Sequence, residues 1–243
     1  MPERLAAASG PRIIVALDYA HAEAALACAA RLSPALCRLK VGMELYTAAG
    51  RGLVEELIDQ GFDIFLDLKY HDIPTTVAKA CDAAARLGVW MLNVHVLGGY
   101  SMLQAARAAV DAAPRRPLLL GVTLLTSHTS ADLLGIGLPV DTHGQVERLA
   151  GLAQAAGLDG VVCSAQEARA LRTKFGSGFV LVTPGIRPTG SPLNDQQRVL
   201  TPLEALEQGS DYLVIGRPIT QAHDPQRMVQ EIQRSIENFP FPS

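Results

Sequence analysis

The stretch DIFLDLKYHDIPTT, residues 63–76, decides how this chain is read. An apolar run, Ile64-Phe65-Leu66, leads into Asp67, Lys69 and Asp72, and Pro74 then signals the start of a helix. Alternate side chains of a strand share a face, so Asp67 and Lys69 point one way while Leu66 and Leu68 point the other. Asp72 falls just past the strand end, where the chain turns toward a helix over 75–87 that stops before Gly88. Two carboxylates and an ammonium thus gather at one strand tip. Burying charge is costly unless it is paired, and a third charge leaves the set unbalanced. Stability alone would favour Val or Ile here. The plainer reading is a solvated loop in which Asp72 or Thr75 caps the next helix.

Working outward, the same strand-then-helix unit recurs. Eight apolar, β-rich segments lie at 13–18, 38–43, 63–69, 91–96, 118–126, 160–164, 180–185 and 212–217. Helical stretches follow at 22–32, 44–60, 75–87, 98–113, 145–156, 165–175, 202–208 and 224–238. Near-continuous apolar runs suit parallel strands covered on both faces. Eight such units in 243 residues predict an α/β protein, a (β/α)8 TIM barrel forming a single domain over 13–243, with 1–12 as a loose tail. No G-x-G-x-x-G follows the first strand, which argues against an open dinucleotide-binding sheet.

The formal charge of −3, with both signs dispersed, argues against a nucleic-acid partner. Apolar runs such as 118–125 fall far short of the ~20 residues needed to span a membrane. The N-terminus lacks the apolar core of a signal peptide. Four cysteines, Cys28, Cys37, Cys81 and Cys163, form no C-x-x-C pair, and the apolar or Ala-rich surroundings of Cys28, Cys81 and Cys163 suit reduced packing residues in a cytoplasmic protein.

Polar residues collect at one end of the strands: Asp18, Lys40, Asp67, Lys69, Asn93, His95, Thr123, Thr126, Ser164, Arg187 and Arg217. In a TIM barrel the C-terminal strand ends carry the active site. Asp18 and Lys40 could be an interior ion pair, but beside the charged third strand a shared site is the better reading. His95 reads as a satisfied interior histidine and is set aside. The last two strand ends, VTPGIRP (182–188) and VIGRPIT (214–220), each supply a Gly, an Arg and a Pro, the makings of a phosphate cup in the loops where barrels often bind phosphate. Between Arg187 and Thr201 a long polar segment reads as a lid, with Gln196 as a ligand contact.

At this density the motifs resemble a known family, bacterial orotidine 5′-phosphate decarboxylase. The resemblance runs from VALDYA (15–20) through LKVGMELY (39–46), FLDLKYHDIP, VTLLTS (122–127), DGVVCSAQEA (159–168) and LVTPGIRP to VIGRPITQA. It implies decarboxylation of orotidine 5′-phosphate to UMP, with no metal or organic cofactor. Asp18 and Lys40 would hold the ribose hydroxyls, and Lys40 would also pair with Asp67. Asp67 would lie against the substrate carboxylate, and Lys69 would protonate C6. Asp72 would reach across the two-fold axis of a homodimer into the neighbouring site. Thr76 and Thr126 match substrate-contacting positions, and Arg187, Gln196, Gly216 and Arg217 match phosphate-binding ones. Two rivals are a metal-dependent lyase of the same barrel group acting on a keto-sugar phosphate, and a non-catalytic phosphate-binding protein. The latter would have little reason to set Lys69 between two aspartates.

Overall fold

In the computed structural model, eight strands pair in parallel, each with the next along the chain and the last with the first. The structure describes residues 10–188, 200–237 and 239. In chain order the elements are β1 (Ile13–Leu17), α1 (Ala22–Ala29), β2 (Arg38–Gly42), α2 (Met43–Asp59), β3 (Ile64–Tyr70), α3 (Pro74–Arg86), β4 (Met91–His95) and α4 (Tyr100–Asp111). There follow β5 (Leu118–Val122), α5 (Ser130–Gly135), α6 (Thr142–Ala155), β6 (Gly160–Val162), α7 (Ala168–Phe175), β7 (Val180–Thr183), α8 (Pro202–Glu207), β8 (Tyr212–Ile215), α9 (Arg217–Thr220) and α10 (Pro225–Ile236). This is the (β/α)8 barrel that the repeated unit predicts.

Strand alternation divides the core in two. On β1, Ile13, Val15 and Leu17 pack among the surrounding helices, while Ile14 and Ala16 belong to the lumen. Phe65, Met91, Leu120, Val182 and Tyr212 fill that lumen from other strands. Each such side chain withdrawn from water contributes about 1.5–3 kcal/mol. At the strand-start end Arg38 lies 4.1 Å over the Trp90 ring and 5.3 Å from the Tyr212 ring, closing the floor of the barrel. Gly160 is required where β6 meets β7, because a Cβ there would collide with the Val180 carbonyl.

Several boundaries differ from the sequence reading. The fifth strand ends at Val122, so Thr123 and Thr126 lie beyond it. The eighth ends at Ile215, and Arg217 opens the four-residue α9 instead of closing the strand. Gly50, at φ 70°, interrupts α2, which reads as one continuous helix in the sequence. The short α5 lies in a stretch where the sequence shows no helical period; Thr129 and Asp132 form a capping box at its start. Asp72 and Thr75 do not cap α3, whose N-cap position is Ile73. Pro11 and Arg12, read as the end of the tail, are fastened to the barrel. The Pro11 carbonyl accepts from Arg38, and the Arg12 carbonyl accepts from Leu213 N–H at 2.9 Å. Among the described residues no helix is long and apolar enough to cross a membrane.

Candidate active site

Lys40 is two residues from the end of β2 and Asp67 lies in β3, both on the lumen side, directly above the apolar filling. Asp18 follows the last residue of β1 with the same parity. Their side chains form a chain of charges. Lys40 Nζ is 3.0 Å from Asp18 Oδ1 and 3.5 Å from Asp67 Oδ2, and Lys69 Nζ is 2.8 Å from Asp67 Oδ1. The Lys40 and Asp67 side chains are 11% and 13% exposed, whereas Asp18 is open to solvent. Burial by itself would raise the Asp67 pKa. The Lys40 and Lys69 charges, with hydrogen bonds from Lys69 and Asn93, outweigh it and hold the carboxyl below its ordinary range. Asp67 is therefore an anion at neutral pH, with both oxygens facing cations.

Lys69 does not reach this position by simple strand alternation. Its φ is 50°, the one positive value at a non-glycine residue among those described. The β3–β4 register shifts here: Leu66 pairs with Leu92 and Tyr70 with Val94, so four steps on β3 match two on β4. The Lys69 N–H donates to Asn93 Oδ1 at 2.8 Å, and Asn93 Nδ2 donates to Asp67 Oδ1 at 2.7 Å. The sequence places Asn93 among the strand-end polar residues but assigns it no task. Its inward parity was a usable signal; the register shift that gives it partners was not legible.

Two adjoining clefts share Lys40, Asp67 and Lys69. One, about 160 Å³, adds Asp18 and the start of α2. The other, about 190 Å³, is mostly apolar and adds Leu124, Thr126, Val162 and Pro184. A cleft bordered by Asp18, Lys40, Glu44, Asp67 and Lys69 beside a more apolar one, with three charged groups shared between them, suits a ligand with a polar half and a flat, less polar half.

The Gly/Arg turns stand at the same barrel end. Gly185 has φ 80°, which a side chain would resist. Arg187 is buried, and its Nε has no hydrogen-bond partner among the described residues. Desolvation and then the nearby Arg217 charge lower the Arg187 pKa. Gly216 is the N-cap residue of α9, and Arg217 is partly exposed beside it. Ile186 bridges Leu200, and Arg187 N–H donates to the Leu200 carbonyl at 3.0 Å, tying together the two ends of the polar segment. Gln196 lies outside the described residues.

Asp72 and Thr76 are exposed and line neither cleft. Beside them Ile73 is 65% exposed. Thr123 and Ser164 serve the backbone: Thr123 Oγ1 donates to the Val162 carbonyl at 3.2 Å, and Ser164 Oγ accepts from Gln166 N–H at 3.3 Å. His95 stacks on His71 with ring centroids 5.4 Å apart. Burial, then His71, His128 and Lys69, lower the His95 pKa to about 4. The ring is neutral at pH 7. Among the described residues no group of three His, Cys, Asp or Glu side chains could hold a metal ion.

Comparison with known proteins bears on this arrangement. A model of the orotidine 5′-phosphate decarboxylase / HUMPS family matches residues 11–232. An orotidine 5′-phosphate decarboxylase of Halorhodospira halophila is 59% identical over 226 residues, covering 93% of this chain and 96% of that one. One of Nitrosococcus oceani is 59% identical over 227 residues, covering 93% and 98%. The crystal structure of orotidine 5′-phosphate decarboxylase from Lactobacillus acidophilus matches with a TM-score of 0.82 at 40% identity, covering 93% of this chain and 98% of that one. From strand order to the spacing of its charged strand ends, the chain belongs to the orotidine 5′-phosphate decarboxylase / HUMPS family.

Proposed function

We propose that this protein decarboxylates orotidine 5′-phosphate to UMP and CO2, acting in the cytoplasm in de novo pyrimidine biosynthesis. The observation that carries this reading is the Asp18–Lys40–Asp67–Lys69 chain at the junction of the two clefts. The pyrimidine occupies the apolar cleft near Thr126, and the ribose hydroxyls meet Asp18 and Lys40. The phosphate is held by Arg187, Gly216 and Arg217, joined by Gln196.

The C6–carboxylate bond breaks heterolytically, and its electron pair stays on C6 with no adjacent carbonyl or imine to delocalise it. A fixed ammonium aimed at C6 stabilises that pair and then delivers a proton to it, which is the role of Lys69. Asp67, held ionised, faces the departing carboxylate. Two unit charges about 4 Å apart interact by about 4 kcal/mol at an effective dielectric near 20. Enzymes typically lower barriers by roughly 8–23 kcal/mol. Repulsion from Asp67 is thus a minor share, and the preorganised ammonium carries most of the effect. Binding energy from the remote phosphate holds the reacting carbon in that geometry. Asp72 and Thr76, exposed on one chain, complete the site of the second chain in a homodimer.

A spectrophotometric assay with orotidine 5′-phosphate, with and without EDTA, tests the reading. Turnover should be unaffected by chelation. Turnover that falls with EDTA would mean that the reaction needs a metal, and no turnover at all would favour the keto-sugar-phosphate lyase or the phosphate-binding protein.

A further inference from the structure

We propose that Asn93 is a positioning residue that sets the geometry of Lys69 and Asp67 together, an inference that rests on the decarboxylase reading above. Asn93 is fully buried in the barrel wall, on the lumen-facing parity of β4 shared with Met91. A buried amide there is unfavourable unless both its ends are used, and both are. The Lys69 backbone N–H can only donate, so the carbonyl oxygen of Asn93 must face it; the 2.8 Å contact fixes the flip of the amide. The Asn93 NH2 then points at Asp67 Oδ1, 2.7 Å away. That same oxygen receives the Lys69 ammonium at 2.8 Å. One side chain therefore ties the backbone of the proton donor to the carboxylate that its ammonium pairs with.

The need for such a tie comes from the strand. Where the β3–β4 register shifts, Lys69 sits at φ 50° and its N–H leaves the strand ladder. Asn93 gives that N–H its acceptor and so supports a backbone conformation that a lysine does not choose unaided. It also limits rotation of the Asp67 carboxylate, whose other oxygen faces Lys40 from β2. The charged groups facing Asp67 are thus Lys40 and Lys69, with Asp18 behind Lys40. Asn93 lines neither cleft. Its effect passes through the other two residues.

The experiment compares the wild-type protein with Asn93→Ala, Asn93→Asp, Lys69→Ala and the Asn93→Ala/Lys69→Ala double variant, with orotidine 5′-phosphate as substrate and UMP as binding probe. Asn93→Ala should lower kcat by about a hundredfold through misplacement of the donor, with KM and UMP affinity changed less than about threefold. Asn93→Asp keeps the volume and the acceptor for Lys69 N–H but sets a second carboxylate against Asp67. The acid limb of its kcat–pH profile should move to higher pH. In the Lys69→Ala background the Asn93→Ala change should cost little further turnover, since the residue through which it acts is gone. Equal losses in both backgrounds, or an unmoved acid limb in Asn93→Asp, would overturn the positioning role. If Asn93→Ala does not fold, the Asn93→Asp profile decides alone. Absence of turnover in the wild-type protein would sink the decarboxylase reading. Wild-type turnover retained by Asn93→Ala would sink only this inference.

Discussion

Lys69, the proton donor in the proposed reaction, also carries the backbone strain of this site. A non-glycine residue held at φ 50° costs on the order of 1–3 kcal/mol, which the surrounding bonds offset. The charged cluster was legible in the sequence because Asp67, Lys69 and Asp72 crowd one strand tip, although the alternation expected there gives way in the structure to a register shift at Lys69. The left-handed backbone was not, because it depends on the register of a neighbouring strand. Lys69→Ala removes the proposed proton donor and leaves the proposed phosphate contacts, so UMP should still bind within roughly tenfold, about 1.4 kcal/mol, while turnover collapses. Retention of more than about a tenth of wild-type kcat would remove Lys69 from its role. In the proposed reaction Arg217 serves binding instead. Arg217→Ala should sharply lower kcat/KM for orotidine 5′-phosphate and scarcely alter the slow reaction of orotidine, which has no phosphate to lose. Equal losses on both substrates would place Arg217 in the fold or the chemistry. His95 gives a pH signature. Its folded pKa is about 4 against an ordinary 6.5, so between these values the unfolded chain binds the extra proton. Stability therefore falls as pH drops from about 6.5 to about 4, and is unaffected by this ring above that window. His95→Gln should lose less Tm between pH 7 and pH 5 than wild type does; identical losses would mean the ring titrates normally.

Among the elements, all eight strands and most helices were legible, but the short α5 and α9 were not. The helix α3 is marked by Pro74 at its start and Gly88, at φ 87°, just past its end. The helix α10 is marked by Asp224, which accepts from Arg227 N–H at 3.1 Å, with Pro225 next. The six-residue α5 has too few turns for an apolar period to show, though Thr129-x-x-Asp132 was a readable cap. The four-residue α9 exists because the chain turns after Gly216, and nothing periodic announces it. The helix α8 shows how little holds such a piece. Thr201 accepts from Glu204 N–H at 3.3 Å, Glu204 accepts from Thr201 N–H at 2.8 Å, and Pro202 opens the helix. Thr201→Ala should destabilise the protein by about 1 kcal/mol in urea unfolding. A shift below about 0.3 kcal/mol would mean that packing of Ala205 and Leu206 alone holds α8 in place.

At the scale of the whole molecule, the barrel followed from eight repeated units, but assembly cannot be read from one chain. Asp72, Ile73 and Thr76 lie exposed at one end of α3, off both clefts. In the proposed homodimer Asp72 enters the neighbouring site, so Lys69→Ala and Asp72→Ala homodimers are each damaged at both sites. Mixing them under subunit exchange forms heterodimers in which one site takes both residues from unmutated chains. Activity should rise to at most about one quarter of wild type for a symmetric dimer with independent sites. With exchange confirmed by native mass spectrometry, activity that stays at the sum of the parents would confine Asp72 to its own subunit. The two-part core has a consequence for traffic. Below the charged layer the lumen is filled from Phe65 down to Tyr212 and floored by Arg38 on Trp90. Among the described residues this end of the lumen is closed, so in the proposed reaction substrate, released gas and nucleotide product share the mouth at the strand ends, and whatever still stands in it bars the next arrival.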